Sequence, residues 1–388
     1  MPLTWIGEAY DFPADPETGV TTVRLTSSLY HHINVYPEQG FGSPDGRRVA
    51  ILRSRSADPR LPPSDLLVAD LHTLQLAVLE RDITSSGIGI ATAAWSGWIY
   101  YLNQQSELMR ANLTTLEKEV IWTRWPFDPD FLFHTVSHDH RFLIGQLMQA
   151  SYKTALVRVD LVEKDWKIIY EDYEISNPHP VYNPIRGHDL YVFKIGGFGV
   201  NHRHEVRELG TPRGHSHFIL DDEGKNLRPL PFGRPRFPNS GHAGWIADTG
   251  KVATVSNALW EGNRARHTPE SPEGNIFVAG PGDPEPVVFR TPEYHFNHIG
   301  VSRCGRYFVA ESYSTLPGPI PLVIGNFRTG KYRPLLTDSR SCGGAAAIGH
   351  AHAYFTADSK HVIYNADPTW IGHVWAARIP SGFLESLN

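Results

Sequence analysis

Short apolar runs alternate with polar turns along the whole chain, at a spacing of roughly 40–50 residues that is typical of propeller blades. Each unit begins with a small or aromatic residue, passes a turn containing Asp or Gly, and continues into three apolar strands. Seven units fill nearly all of the 388 residues. They begin with Phe41–Arg53, Ala93–Leu102, Thr135–Gly145, Pro180–Phe193, Ala243–Ser256, Ile299–Ser312 and Ala353–Asp367. The pattern predicts an all-β fold, a seven-bladed β-propeller with four-stranded antiparallel blades.

The seventh unit lacks an outer strand, and the segment Thr21–Ser28 (TTVRLTSS) can supply it. Such a closure joins the chain ends and removes two exposed sheet edges. We therefore expect residues 1–388 to form one domain in which residues 1–30 carry the closing strand. A pair of β-sandwiches would also show short alternating strands, but the regular spacing and the absence of a linker-like stretch favour the propeller.

Composition narrows the function classes. A content of 41% apolar and 20% charged residues is that of an ordinary globular protein, and a net charge of −5 gives no reason to expect nucleic-acid binding. Two cysteines are too few for a disulfide framework. The sequence shows neither a secretory signal nor a membrane-length apolar run, so we expect a cytoplasmic protein without a membrane partner. The oligomeric state stays open.

Histidines recur where the first strand of a unit begins, and in a propeller these points surround one central channel. Imidazole binds metals and moves protons near neutral pH. His350 and His352 would point to the same side of a strand, and His298 is at the equivalent point of the preceding unit. We expect these three to bind one divalent metal. No Asp or Glu is evident in that register, so the open positions favour a catalytic metal over a structural one.

Four more residues are candidates around the same channel. His242 is the first candidate for a catalytic base and His179 the second, with a buried histidine bonded to a carbonyl as the alternative for each. His32 and Asn34 would line the channel and contact substrate.

The long connections 194–214 and 257–273 carry arginines, whose forked guanidinium groups match carboxylates. Arg203 and Arg213 are our candidates for binding an acidic substrate. No nucleophile elbow, Walker loop or dinucleotide fingerprint is present.

The units resemble those of the oligogalacturonate lyase family in the stretches HHINVYPEQGFGSPDG, NPHPVYNP, SGHAGWIADTG and HAHAYFTADSKHVIYNAD. The resemblance implies a cytoplasmic seven-bladed propeller that cleaves small uronate oligosaccharides by β-elimination. It also implies a divalent metal, typically manganese, on His298, His350 and His352. His242 matches the family's base, and Arg213 is nearest to its substrate-carboxylate arginine. The chain has Ala347 where the family has a glutamine ligand and Lys194 where it has a histidine, which suggests a different uronate substrate.

The sequence therefore predicts a metal-dependent lyase acting on a short uronate-containing oligosaccharide, oligogalacturonate or a related glucuronate-linked sugar. Manganese is the first expectation for the metal, with zinc, nickel, iron or calcium as alternatives. A glycoside hydrolase or epimerase using the same histidines is a second reading. A non-catalytic propeller that binds partners is a third, and the density of histidine at one repeat position argues against it.

Overall fold

The structure is a computed structural model. It describes residues 3–35, 39–56, 61–84, 89–127, 131–194, 196–210, 216–233, 242–255, 275–313, 318–341, 350–369 and 371–388. Within these ranges the chain forms seven sheets of four or five antiparallel strands and one separate two-stranded hairpin. The sheets follow one another along the sequence, as the blades of a propeller do. The fold is an all-β seven-bladed β-propeller, which confirms the prediction from the repeat. None of the described helices is long and apolar enough to span a membrane.

The chain divides into two compact units, Met1–Pro126 with His298–Asn388, and Phe127–Asn297. The first contains blades one, two, six and seven, and the second contains blades three, four and five. The expectation of a single domain stays a prediction.

The first unit contains four blades of four or five strands. Blade one has His32–Ile33, Arg48–Ser54, Ser64–Asp70 and Gln75–Ile83, with Trp5–Ile6 added at its edge; blade two has Ala91–Thr92, Trp98–Leu102, Leu108–Asn112 and Lys118–Trp122. Blade six has Phe296–Val301, Tyr307–Ser312, Leu322–Asn326 and Tyr332–Leu336; blade seven has Tyr354–Phe355, His361–Ala366 and His373–Arg378, completed by Thr22–Arg24 and Tyr10–Phe12.

The strands of the second unit follow the same plan. Blade three has Leu132–Val136, Phe142–Met148, Thr154–Asp160 and Asp165–Asp172; blade four has Val181–Tyr182, Asp189–Lys194, Ser216–Asp221 and Arg228–Gly233; blade five has Ala243–Trp245, Val252–Val255, Asn275–Ala279 and Val287–Arg290. Second and third strands are almost continuously apolar because both of their faces are buried. The outer strand of blade three instead alternates, and exposes Trp166 and Ile168.

Blade seven is closed by the N-terminal segment, as the sequence predicts. Thr22–Arg24 pairs with His373–Arg378, and Tyr10–Phe12 adds a fifth strand beyond it. The seam continues past the strand, because the Leu25 amide donates to the Val374 carbonyl at 2.8 Å. The paired strand is shorter than the predicted Thr21–Ser28.

A recurrent turn places the second strand of several blades. A hydroxyl residue donates to an aspartate two positions later, and that aspartate accepts the amide at its own second following position. The three examples are Ser43 with Asp45, Ser137 with Asp139, and Thr356 with Asp358. This turn is the physical basis of the Asp-containing pattern in the repeat.

The connection 194–214 contains structure that the sequence did not predict. Gly196–Val200 and Val206–Gly210 form an antiparallel hairpin between the second and third strands of blade four. A side chain at Gly197 would lie 2.3 Å from the Tyr173 carbonyl oxygen, so glycine is required for this close approach. The hairpin was missed because its glycines interrupt the apolar alternation by which strands are identified.

Candidate metal centre and catalytic histidines

Three imidazoles meet in the first unit. His298, His350 and His352 each offer one ring nitrogen, and these nitrogens lie within 4.8 Å of one another. The ring centroids are 4.4 to 5.5 Å apart. His298 and His352 are 2% exposed and His350 is 9% exposed. Three convergent, buried imidazoles fit a divalent transition metal that keeps open coordination positions.

The backbone that presents His350 and His352 differs from the expectation. The segment 350–353 precedes the strand Tyr354–Phe355 and is not itself a strand. His352 has a φ of 45°, in the left-handed region that is uncommon for residues other than glycine. The two rings therefore converge through a turn-like backbone and not through strand alternation. Such a backbone, held against steric preference, is often found at functional sites.

A buried carboxylate stands behind the triad. Glu311, on the second strand of blade six, accepts a hydrogen bond from Nδ1 of His298 and another at 3.1 Å from the Tyr313 hydroxyl. With Nδ1 engaged, His298 presents Nε2 as its metal-binding atom. A carboxylate in this position fixes the ring and raises its basicity as a ligand. Glu311 lies on the second strand and is not one of the clustered ligand atoms, so it supports a ligand and does not add one.

The protonation of Glu311 is sensitive to its surroundings. Burial raises the pKa of its carboxyl to about 8, while hydrogen bonds from Tyr313 and from the amides of His352 and Ala353 act in the opposite direction. A cation held by His298 would favour the charged carboxylate, because opposite charges nearby stabilise the ionised form.

The second unit holds the two candidate bases side by side. The ring centroids of His179 and His242 are 5.4 Å apart. Nδ1 of His242 lies 2.9 Å from the carbonyl oxygen of Asn297, the residue before His298. A carbonyl only accepts, so Nδ1 carries the proton and the neutral ring has its lone pair on Nε2. His179 packs against Phe193 and has a φ of 41°, in the left-handed region like His352.

His32 and Asn34 are fully buried and bonded within the protein. Nε2 of His32 accepts from Arg53 at 2.7 Å, and its ring stacks on His373. Burial, and after it the charge of Arg53, holds the pKa of His32 well below its usual range. The Asn34 side chain donates to the His352 carbonyl at 2.7 Å. In this structure His32 belongs to the blade-closing seam, and Asn34 supports the backbone of the triad.

The structure describes only one of the two arginines that are candidates for binding substrate. Arg203 is exposed, in the turn of the blade-four hairpin, where its amide binds the side chain of Asn201. Arg213 and Ala347 lie outside the described residues. Lys194 forms an ion pair with Asp172. The structure thus groups the three metal-site histidines within the first unit and, separately, His179 with His242 within the second. It adds Glu311 and Tyr313 to the triad, which sequence reasoning missed.

The fold is a β-propeller that carries a cluster of three histidines able to hold a metal, and comparisons with known proteins agree on the fold. No protein-family model matches the chain. The oligogalacturonate lyase of Dickeya dadantii (strain 3937) is 21% identical over 410 aligned positions, covering 96% of each chain. The chain is thus a distant homologue of oligogalacturonate lyase, as its motifs indicate.

Solved structures give the same picture of the fold. An oligogalacturonate lyase in complex with manganese matches with a TM-score of 0.69 at 19% identity, over 99% of this chain and 98% of that one. An oligogalacturonate lyase from Vibrio parahaemolyticus matches with the same TM-score at 18% identity, over 99% and 100%.

Proposed function

We propose that the protein is a metal-dependent lyase that cleaves short uronate-containing oligosaccharides by β-elimination. The observation that carries the proposal is the triad of His298, His350 and His352, with Glu311 fixing His298 from behind. Full-length homology to an oligogalacturonate lyase supports the reaction class. The substrate is an oligogalacturonate or a related glucuronate-linked sugar.

The metal that we propose is manganese, with zinc, nickel, iron or calcium as competitors. A related solved structure is described as a complex with manganese. The three imidazoles would hold the ion, and its open positions would face the substrate. When bound, a divalent cation stabilises negative charge that develops on a uronate carboxylate. Nitrogen ligands bind the later transition metals more tightly than manganese, so metal supply would decide occupancy.

The proton-transfer step is assigned to His242, with His179 as the rival. Nε2 of His242 accepts the proton from C5 of the uronate. The C5–H electrons form the C4–C5 double bond, and the bond from C4 to O4 breaks. The leaving oxygen takes a proton from water or a weak acid. The hydrogen bond to Asn297 keeps Nδ1 protonated and so prepares Nε2 for this task. Arg213 and Arg203 are proposed contacts for substrate carboxylates.

The test is to supply the manganese-loaded protein with galacturonate oligomers and with glucuronate-linked oligosaccharides, and to follow ultraviolet absorbance. An eliminase generates an unsaturated uronate, which absorbs, and one new reducing end for each cleavage. New reducing ends without absorbance would instead identify a hydrolase. If no uronate substrate gives either absorbance or new reducing ends, the protein is better explained as a binding module and the proposal is overturned.

A further inference from the structure

We propose that the protein has a second transition-metal site, formed by His138, Asp139 and His188 in the second unit, with zinc as the ion that fits best. The three side chains each offer one ligand atom, and these atoms lie within 4.8 Å of one another. The residues belong to two neighbouring blades, since His138 and Asp139 lie in a turn of blade three and His188 in a turn of blade four. A bound ion would therefore link the two blades.

The turn of blade three orients Asp139 toward His188. Oδ1 of Asp139 accepts from the Ser137 hydroxyl at 2.5 Å and from the Arg141 amide at 3.2 Å. Oδ2 then lies 3.1 Å from Nε2 of His188. Burial alone would raise the pKa of Asp139, but these hydrogen bonds and that of His188 lower it to about 2. Asp139 is thus an ionised ligand at neutral pH.

A buried carboxylate lies beside the other ring nitrogen of His188. Its Nδ1 lies 3.4 Å from Oδ2 of Asp222, a carboxylate that is only 4% exposed. The Tyr182 hydroxyl donates to the same oxygen at 2.9 Å, and Arg158 lies 3.5 Å from Oδ1. Nε2 is the ring nitrogen that faces Asp139, since Nδ1 faces Asp222. The ring also packs edge-on against Phe142, at a centroid distance of 5.1 Å.

His138 completes the set from the solvent side. It is exposed, and its ring centroid lies 6.1 Å from that of His188. An exposed side chain can rotate to close the ligand sphere at small cost. Two imidazoles and one carboxylate, with a remaining position for water, match the ligand types and number of an open zinc site. In this structure Nε2 of His188 is hydrogen-bonded to Oδ2 of Asp139, so the two atoms already face the point where an ion would bind.

The test is the number of zinc ions bound per chain by the full-length protein, measured after equilibration with zinc and removal of excess. His138→Ala should bind one fewer equivalent than the wild-type protein, and so should Asp139→Asn, which keeps the turn but loses the charge. His72→Ala, which removes another exposed imidazole, is the matched control and should bind as many ions as wild type.

The comparison isolates this site from the triad of blades six and seven. An ion at the triad contributes equally to the wild-type protein and to His138→Ala, so only their difference is informative. Failure of the lyase proposal would leave this difference intact. Equal zinc content in wild type, His138→Ala and Asp139→Asn would mean that the cluster is only a set of hydrogen-bonded side chains, and would overturn the inference. Unchanged circular dichroism of His138→Ala confirms that the loss is local.

Discussion

At the scale of single residues, one hydrogen bond decides which nitrogen of His242 can act as a base. The bond from Nδ1 to the Asn297 carbonyl leaves the lone pair of the neutral ring on Nε2. Replacing His242 with Ala should lower turnover about 10²–10⁴-fold, the usual effect of losing a positioned base. Activity should also fall at acid pH, because a protonated imidazole accepts no proton. Steady-state rates over a pH series measure both effects.

The control for this prediction is the neighbouring histidine. His179→Ala removes an imidazole 5.4 Å away and should affect the rate less. Metal content should stay unchanged in both variants. An inactive His179→Ala beside a nearly normal His242→Ala would reverse the two roles. Normal activity in both would place the base elsewhere.

Glu311 is the residue whose role is most specific to this structure. Glu311→Gln keeps the shape of the side chain but removes the charge that strengthens His298 as a ligand. We expect metal affinity to fall about 10–100-fold, as is typical when the carboxylate behind a ligand is lost. Titration with manganese measures it. Glu119→Gln, at an exposed position, is the control, and equal affinities in the two variants would contradict the assignment.

At the residue level, the sequence indicated that three histidines would cluster, which the structure shows, but it did not indicate the residues that support them. Histidine is informative because few side chains bind metals, and three of the six recurrent ones do converge. Glu311 was not predicted as a site residue because it lies within a largely apolar, buried strand. The sequence spacing is nevertheless sufficient to place it. Ser302 and Tyr307 form the hydrogen-bonded pair that closes this hairpin. His298 lies four residues before Ser302, and Glu311 lies four residues after Tyr307. Hairpin counting places the two side chains opposite each other.

At the scale of elements, the N-terminal seam carries the closure of blade seven. Deleting residues 1–28 removes both added strands and leaves His373–Arg378 as an exposed sheet edge, which also invites aggregation. We expect a large drop in the thermal unfolding midpoint. Deleting only residues 1–9 removes the short edge strand of blade one and keeps the closure, so its midpoint should drop much less. Equal midpoints for full-length protein and the longer deletion would contradict this role.

The same seam makes stability depend on pH. Burial lowers the pKa of His373 to about 4 and lowers that of His32 as well. The folded chain thus resists protonation that the unfolded chain accepts below about pH 6.5. Their contribution to stability is complete above that pH and is lost as pH falls toward about 4. In His373→Asn, the thermal midpoint should fall less between pH 7.5 and 5 than in wild type. An identical fall in the thermal midpoint of the two proteins would contradict this role of His373.

Elements with strong apolar alternation were predictable, and short ones were not. Trp5–Ile6 and Tyr10–Phe12 have two and three residues, too few for any periodicity. Their pairing is decided by the edges that blades one and seven offer. The segment 350–353 was expected to be a strand from its His-x-His spacing, but the positive φ of His352 is a tertiary effect that spacing does not encode.

At the scale of the whole molecule, this chain shares its fold with a solved lyase although few of their residues are identical. A TM-score of 0.69 accompanies only 19% identity to the manganese-containing lyase structure. A propeller requires buried alternation and turns at the right spacing, which many sequences satisfy. The repeat therefore predicted the fold well. The substrate stays a proposal, because the side chains proposed to contact it, such as Arg213, lie in loops that no periodicity identifies.

In the proposed mechanism, a metal on the histidine triad is required for elimination. The most direct measurement compares unsaturated-product formation by metal-stripped protein, by the same protein after manganese is restored, and by His350→Ala treated identically. We predict that stripping abolishes the ultraviolet signal, that manganese restores it to the wild-type protein, and that His350→Ala stays inactive with little bound metal. Full activity in the stripped protein, or in His350→Ala, would contradict the claim.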